Sequence, residues 1–215
     1  MKNTKQIVLG NLVSAVEMLQ SCAEFALLMP EVRVNLVYAL PGAKASDEVA
    51  AVDGRITVVG GFPYAPGLPR WGASDHMARL IIEVRKYDPT INAGINFKCD
   101  AKVIDIVQKY CSEKGVLFGW IDRTKEPAEI AEQDRSSMPW KMKQLAENHG
   151  GIPKLFYEGE GWGKEPLFVA LGNDAVEVAG IAIEIARRYS GKKHGTNSSP
   201  PEKAYREKTG LEMTG

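Results

Sequence analysis

Short apolar runs rich in β-branched residues alternate along this chain with segments whose apolar residues recur at helical spacing, and that alternation constrains the fold more than any other feature. Lys5 to Gln20 places Val8, Leu12, Ala15, Val16 and Leu19 on one face and predicts an amphipathic helix. VRVNLVYAL, from Val32 to Leu40, predicts a strand that Pro41-Gly42 ends. A second strand begins at Ile56 (ITVVGG) and runs into a Gly/Pro-rich loop from Gly60 to Pro69. Ser74 or Asp75 can cap the helix that follows, whose inward stripe is Met77, Leu80, Ile81 and Val84. The same grammar continues with strands expected at Ile91 to Phe97, Val116 to Ile121, Lys154 to Tyr157 and Pro166 to Leu171. Helices are expected at Ala101 to Ser112, Ser137 to Asn148 and Asp174 to Tyr189; apolar residues nearly encircle the last, which predicts deep packing. Strands alternating with helices specify an α/β layered domain. The pattern does not distinguish a parallel sheet from a mixed one.

The 215 residues, 44% of them hydrophobic, can bury one substantial core, so a single domain is expected. Lys+Arg and Asp+Glu both number 27, and this zero balance argues against nucleic acid or an anionic membrane as partner. Any positive patch must be local. No apolar run approaches the roughly 20 residues that cross a bilayer, and the opening MKNTKQ lacks the apolar core of a signal peptide, so a cytoplasmic protein is expected. Cys22, Cys99 and Cys111 form no CxxC and read as reduced, inert thiols. His76, His149 and His194 form neither HxH nor HxxxH, so local spacing supports no zinc site. Past Tyr189 the composition turns polar, which divides the chain into a domain over 1–190 and a surface tail over 191–215.

Candidate chemistry concentrates at anion-binding features. His76 stands in the first turn of a predicted helix, where unpaired N–H groups and the positive end of the dipole favour a bound anion. Arg55 follows the Asp53-Gly54 turn and could clamp a phosphate with its planar fork; a surface arginine is the plainer alternative. EGEGWGKEPLF, from Glu158, offers Gly163 and Lys164 in a loop whose backbone can approach a ligand closely. It is not a Walker A loop, because Glu158 stands where that motif needs Gly and Glu165 where it needs Ser or Thr. Lys44 lies in a similar Gly turn, and Ser136 and Ser137 stand at a helix start where hydroxyls usually cap.

Taken in order, PEVRVNLVYALPGAKASDEVAAVDGRITVVGG, WGASDHMARLI, YDPTINAGINF, SSMPW and GWGKEPLFVALGNDAVEV resemble the ThiN-type thiamine-phosphate synthase domain over roughly residues 5–190. In many archaea and some bacteria that domain is fused behind a hydroxymethylpyrimidine (phosphate) kinase. The resemblance implies a three-layer α/β/α sandwich with a mixed sheet, related to AraD-type aldolases, whose histidine-ligated zinc is not expected here. It implies condensation of 4-amino-2-methyl-5-hydroxymethylpyrimidine diphosphate with hydroxyethylthiazole phosphate to give thiamine phosphate and diphosphate. The arginine of a VxGRI motif and the histidine of GASxH match Arg55 and His76, the implied catalytic pair. Lys44, Gly72, Ser74, Ser137, Gly163 and Lys164 are the candidate phosphate and substrate contacts. Magnesium is expected with the diphosphate, and a homodimer is compatible with the family. A non-catalytic thiamine-phosphate sensor is the alternative, although that branch typically carries a DNA-binding helix-turn-helix and has lost the two catalytic residues.

Overall fold

The computed structural model describes residues 2–131, 134–159, 161 and 165–191. In chain order the elements are α1 (Lys2–Gln20), a 3-10 segment (Ala23–Leu28), β1 (Leu36–Ala39), a 3-10 turn (Ser46–Glu48), β2 (Val49–Val52), β3 (Thr57–Val59), β4 (Phe62–Tyr64), β5 (Pro69–Trp71) and α2 (Asp75–Val84). There follow β6 (Ala93–Lys98), α3 (Ala101–Lys114), β7 (Phe118–Ile121), a 3-10 turn (Arg123–Lys125), α4 (Ala128–Ala131), α5 (Asp134–His149), β8 (Leu155–Glu158), β9 (Leu167–Gly172) and α6 (Ala175–Ser190). Aspartates start two of the helices: Asp100 accepts the Val103 N–H at 2.8 Å and Asp174 the Glu177 N–H at 2.9 Å. Each such cap stabilises by about 1 kcal/mol. The expected tail falls on residues 192–215, outside the described ones.

Seven strands form one sheet in the order β5-β2-β1-β6-β9-β8-β7. Neighbours run antiparallel except β7 and β8, which are parallel, so the sheet is mixed. Alternate residues of a strand face opposite sides, and here both sides are buried. Leu36, Ala50, Ile95, Phe97 and Phe168 pack with α1, α3 and α6, while Val37, Ala51, Phe156, Val169 and Leu171 pack with α2 and α5. The result is the expected α/β/α sandwich. Phe97 and Phe168 are register partners and stack at 5.5 Å between ring centroids, a pair worth about 0.5–1.5 kcal/mol. That register sets Asn96 beside Val169 on the opposite face. At Gly94 a Cβ would come within 3.1 Å of Ile81 Cδ1 and 3.3 Å of Met77 Cε, so glycine lets α2 lie close on β6.

The first third departs from the expected pattern. The strand anticipated over Val32 to Leu40 is regular only at Leu36–Ala39, because Arg33 takes a left-handed φ of 67°. Only Ile56 of the anticipated second strand meets the main body, in an isolated bridge to Val34. Thr57–Val59 instead pairs with β4 across Gly60-Gly61, both at positive φ, as a tight hairpin turn demands. The second strand of the sheet is β2, and the segment around Lys44 joins β1 to it by way of the 3-10 turn.

Among the described residues no helix is long and apolar enough to cross a membrane. All three cysteines are free and buried. Burial raises the Cys22 thiol, pushes Cys99 up to about 12 and Cys111 up to about 11. Ellman's reagent at pH 8 is therefore expected to leave all three unlabelled in the native protein and to label them on unfolding in guanidinium. Rapid native labelling would contradict this burial.

Candidate active site

A cavity of about 540 Å³ opens where β1 and β9 begin and β6 and β8 end. Its floor is Asn96 and Val169 with Asn35 and Leu167, and its roof is His76 and Met77 of α2 with Lys141 of α5. Asn96 stands between Ile95 and Phe97, which face the other side of the sheet, so the cavity lies between the sheet and the α2/α5 layer. Its volume is that of a small-molecule site.

Arg55 and His76 line this one cavity although they come from different elements. Arg55 follows Gly54 in a turn, and both take positive φ, 62° and 76°. For arginine that conformation costs roughly 1–2 kcal/mol. It is held by a hydrogen bond from Arg55 Nη1 to the Val32 carbonyl at 2.6 Å. Among the described residues Arg55 has no carboxylate partner, so the rest of its fork is available to an anion. The same segment is fastened from its other side: Glu165 accepts the N–H groups of Glu31 at 3.2 Å and Val32 at 2.8 Å. Asn96 completes the clamp, donating to the Arg33 carbonyl at 3.2 Å and accepting the Asn35 N–H at 2.6 Å. His76 lies in the first turn of α2, where Ser74 occupies the N-cap position without its side chain claiming an N–H group of that turn.

Two buried ion pairs form the far wall. Lys141, 1% exposed, donates to Glu158 at 2.5 Å, and Arg123 donates through Nε and Nη2 to Glu126 at 3.1 and 2.9 Å. Ser137 also donates to Glu126. A Cβ at Gly161 would fall 2.6 Å from Arg123 Nη1, so residue 161, lacking a side chain, lies close against the guanidinium. Burial by itself raises Glu126, but the Ser137 hydroxyl, Arg123 and the charge of Lys141 outweigh it and hold the carboxyl below its ordinary 4.5. A carboxylate lowered by folding adds stability above its unfolded value, which is lost as pH falls through the folded one. Glu126→Gln is accordingly expected to lower stability at neutral pH and to flatten its decline below pH 4.5, as read by urea unfolding between pH 7 and 3. An unaltered acid limb would refute the assignment.

The other anticipated contacts are dispersed. Gly72, at φ 69°, and the buried Ser74 lead into α2; Ala73 between them borders a second hollow of about 410 Å³ that shares Arg55. Lys44 is exposed on the loop after β1 and does not reach the cavity. Ser137 is buried inside α5 rather than capping it, and its hydroxyl is committed to Glu126. Gly163 and Lys164 lie outside the described residues. Sequence reasoning missed Asn35, Asn96, Arg123 and Lys141. A lysine among the apolar positions of α5 was the one visible signal. Among the described residues no group of three or more His, Cys, Asp or Glu side chains is placed to hold a metal ion.

Residues 11–184 match the family described as thiamine-phosphate synthase ThiN. The thiamine-phosphate synthase ThiN of Methanothermobacter thermautotrophicus is 38% identical over 186 residues, 86% of this chain and 96% of that protein. The bifunctional thiamine biosynthesis protein ThiDN of Methanocaldococcus jannaschii is 36% identical over 188 residues, 86% of this chain and 42% of that protein. Among solved structures, the C-terminal domain of a phosphomethylpyrimidine kinase superposes with a TM-score of 0.80 at 30% identity, covering 85% of this chain and 99% of that one.

Proposed function

Since the chain belongs to the ThiN family and is a thiamine-phosphate synthase, we propose that its cavity joins a hydroxymethylpyrimidine diphosphate to hydroxyethylthiazole phosphate and that Arg55 and His76 hold the departing diphosphate. The observation that carries this reading is the meeting of those two side chains in one cavity beside the N-terminus of α2. The thiazole nitrogen supplies a lone pair to the methylene carbon, and the methylene–oxygen electron pair leaves with diphosphate. Protein proton transfer is not required. Charge on the leaving oxygens is the main obstacle, and donors already fixed around them lower the barrier most. The clamp on residues 31–35 holds the strained Arg55 in place as such a fixed donor, and α2 adds the positive end of its dipole.

Arg123 and Lys141 border the opposite side. From β1 to β8 is three strand spacings, about 14 Å, which separates Arg55 from this ion-paired wall, whose N–H donors beyond those given to Glu126 and Glu158 suit the phosphate of the thiazole substrate. Holding both substrates across that span removes much of the entropic cost of their encounter.

Magnesium fits this donor set only as an ion carried on substrate phosphates with few protein ligands. Glu165 is committed to backbone N–H groups and Glu158 to Lys141, which leaves Glu31 as the lining carboxylate that would hold it. When bound, the ion would neutralise part of the diphosphate charge. Purified protein mixed with both substrates and magnesium is expected to form thiamine phosphate and diphosphate in equal amounts. Thiamine phosphate formed without stoichiometric diphosphate would refute the proposed chemistry.

A further inference from the structure

Asn35 borders the cavity and is only 7% exposed. Its backbone is satisfied on both sides, the N–H by Asn96 Oδ1 at 2.6 Å and the carbonyl by the Asn96 N–H at 3.3 Å. Its side-chain amide makes no hydrogen bond among the described residues. Asn96, Lys141 and Glu158, buried around the same space, all have partners. The amide opens into the cavity, so a ligand that offers a matching donor and acceptor can take the place of water there. Asn96 fixes the backbone on which this amide stands, so the group is held ready rather than left loose.

We propose that Asn35 reads the aminopyrimidine edge of the diphosphate substrate and so determines specificity, an inference that rests on the synthase chemistry above. The substrate ring presents an exocyclic amino donor beside a ring-nitrogen acceptor. The asparagine amide presents a carbonyl acceptor beside an amino donor, and the two match as a bidentate pair, the same complementarity by which asparagine reads adenine. The thiazole substrate has no ring N–H or amino group to offer the amide carbonyl, which assigns this residue to the pyrimidine. Position agrees with chemistry. Asn35 follows Val34, whose bridge to Ile56 brings the segment alongside Arg55. In the substrate the amino group sits on the carbon next to the one bearing the methylene diphosphate. Binding that edge at Asn35 therefore turns the methylene toward the Arg55 end, while Met77, Leu167 and Val169 offer apolar surface to the ring.

The test is a cycle of enzyme and substrate variants. Steady-state kinetics would compare wild type, Asn35→Ala and the near-isosteric Asn35→Asp on the natural pyrimidine diphosphate and on its analogue with hydrogen in place of the amino group. In the wild type, removing the amino group is expected to lower kcat/KM at least 100-fold, since a site built to bond such a group rejects substrates lacking it. Asn35→Ala and Asn35→Asp should lose about 10- to 100-fold on the natural substrate, discriminate against the analogue several-fold less than wild type, and keep the KM for thiazole phosphate within about twofold. Equal discrimination by wild type and both variants, or an effect confined to thiazole phosphate, overturns the inference while leaving the synthase chemistry standing. Wild-type protein that releases no diphosphate from the natural pair overturns both.

Discussion

Arg55→Ala lowers kcat about 10²- to 10³-fold, the expected result of removing one preorganised donor from a developing oxyanion, while the fold is nearly unaffected. The side chain is exposed and its one hydrogen bond among the described residues goes to the Val32 carbonyl, so little stability goes with it. The informative companion is Arg55→Gly. Residue 55 stands at φ 62°, a conformation glycine enters freely and arginine does not. The glycine variant should unfold at a Tm equal to or above that of the alanine variant and be equally inactive. Strain kept at a residue whose removal abolishes turnover marks a position where function opposes stability. Retention of more than a tenth of wild-type kcat by either variant would remove Arg55 from the mechanism.

The largest loss of stability is expected at Lys141→Met. Its ammonium and the Glu158 carboxylate lie 2.5 Å apart with side chains 1% and 11% exposed, so removing the lysine strands a largely buried charge. Breaking a buried pair in this way costs about 3–5 kcal/mol. Replacing both members, Lys141→Met with Glu158→Leu, should restore most of that stability in urea unfolding, because two apolar groups leave nothing unpaired. Activity should not return with it, since the Lys141 ammonium that lines the cavity is gone. A single variant as stable as wild type would mean that the pair is solvated, contrary to its burial.

Periodicity made the layered fold legible because most elements bury a regular stripe: α1, α2, α3 and α6, and strands β6 and β9, all fall within a few residues of their expected places. It failed where register and backbone sign matter more than hydrophobicity. Val49–Val52 is a central strand made partly of alanine, which carries little strand preference. The late entry into the sheet, at Leu36 rather than Val32, turns on the left-handed φ of Arg33, a conformation that residue type does not announce. The candidate site divides the same way. Arg55 and His76 stood in recognisable local motifs. Asn35, Asn96, Arg123 and Lys141 reach the cavity through strand order and helix placement, and no local pattern brings such distant positions together. Lys44 shows the reverse error, a glycine turn with a cation that faces solvent.

The first and last described helices, α1 and α6, pack on each other against the sheet face opposite the cavity. A polypeptide appended ahead of α1 would emerge behind the workplace, not across its doorway. Such an architecture accepts a fused companion without redesign of the interior, in keeping with a relative whose C-terminal domain shares this fold and another more than twice as long as the stretch aligned here.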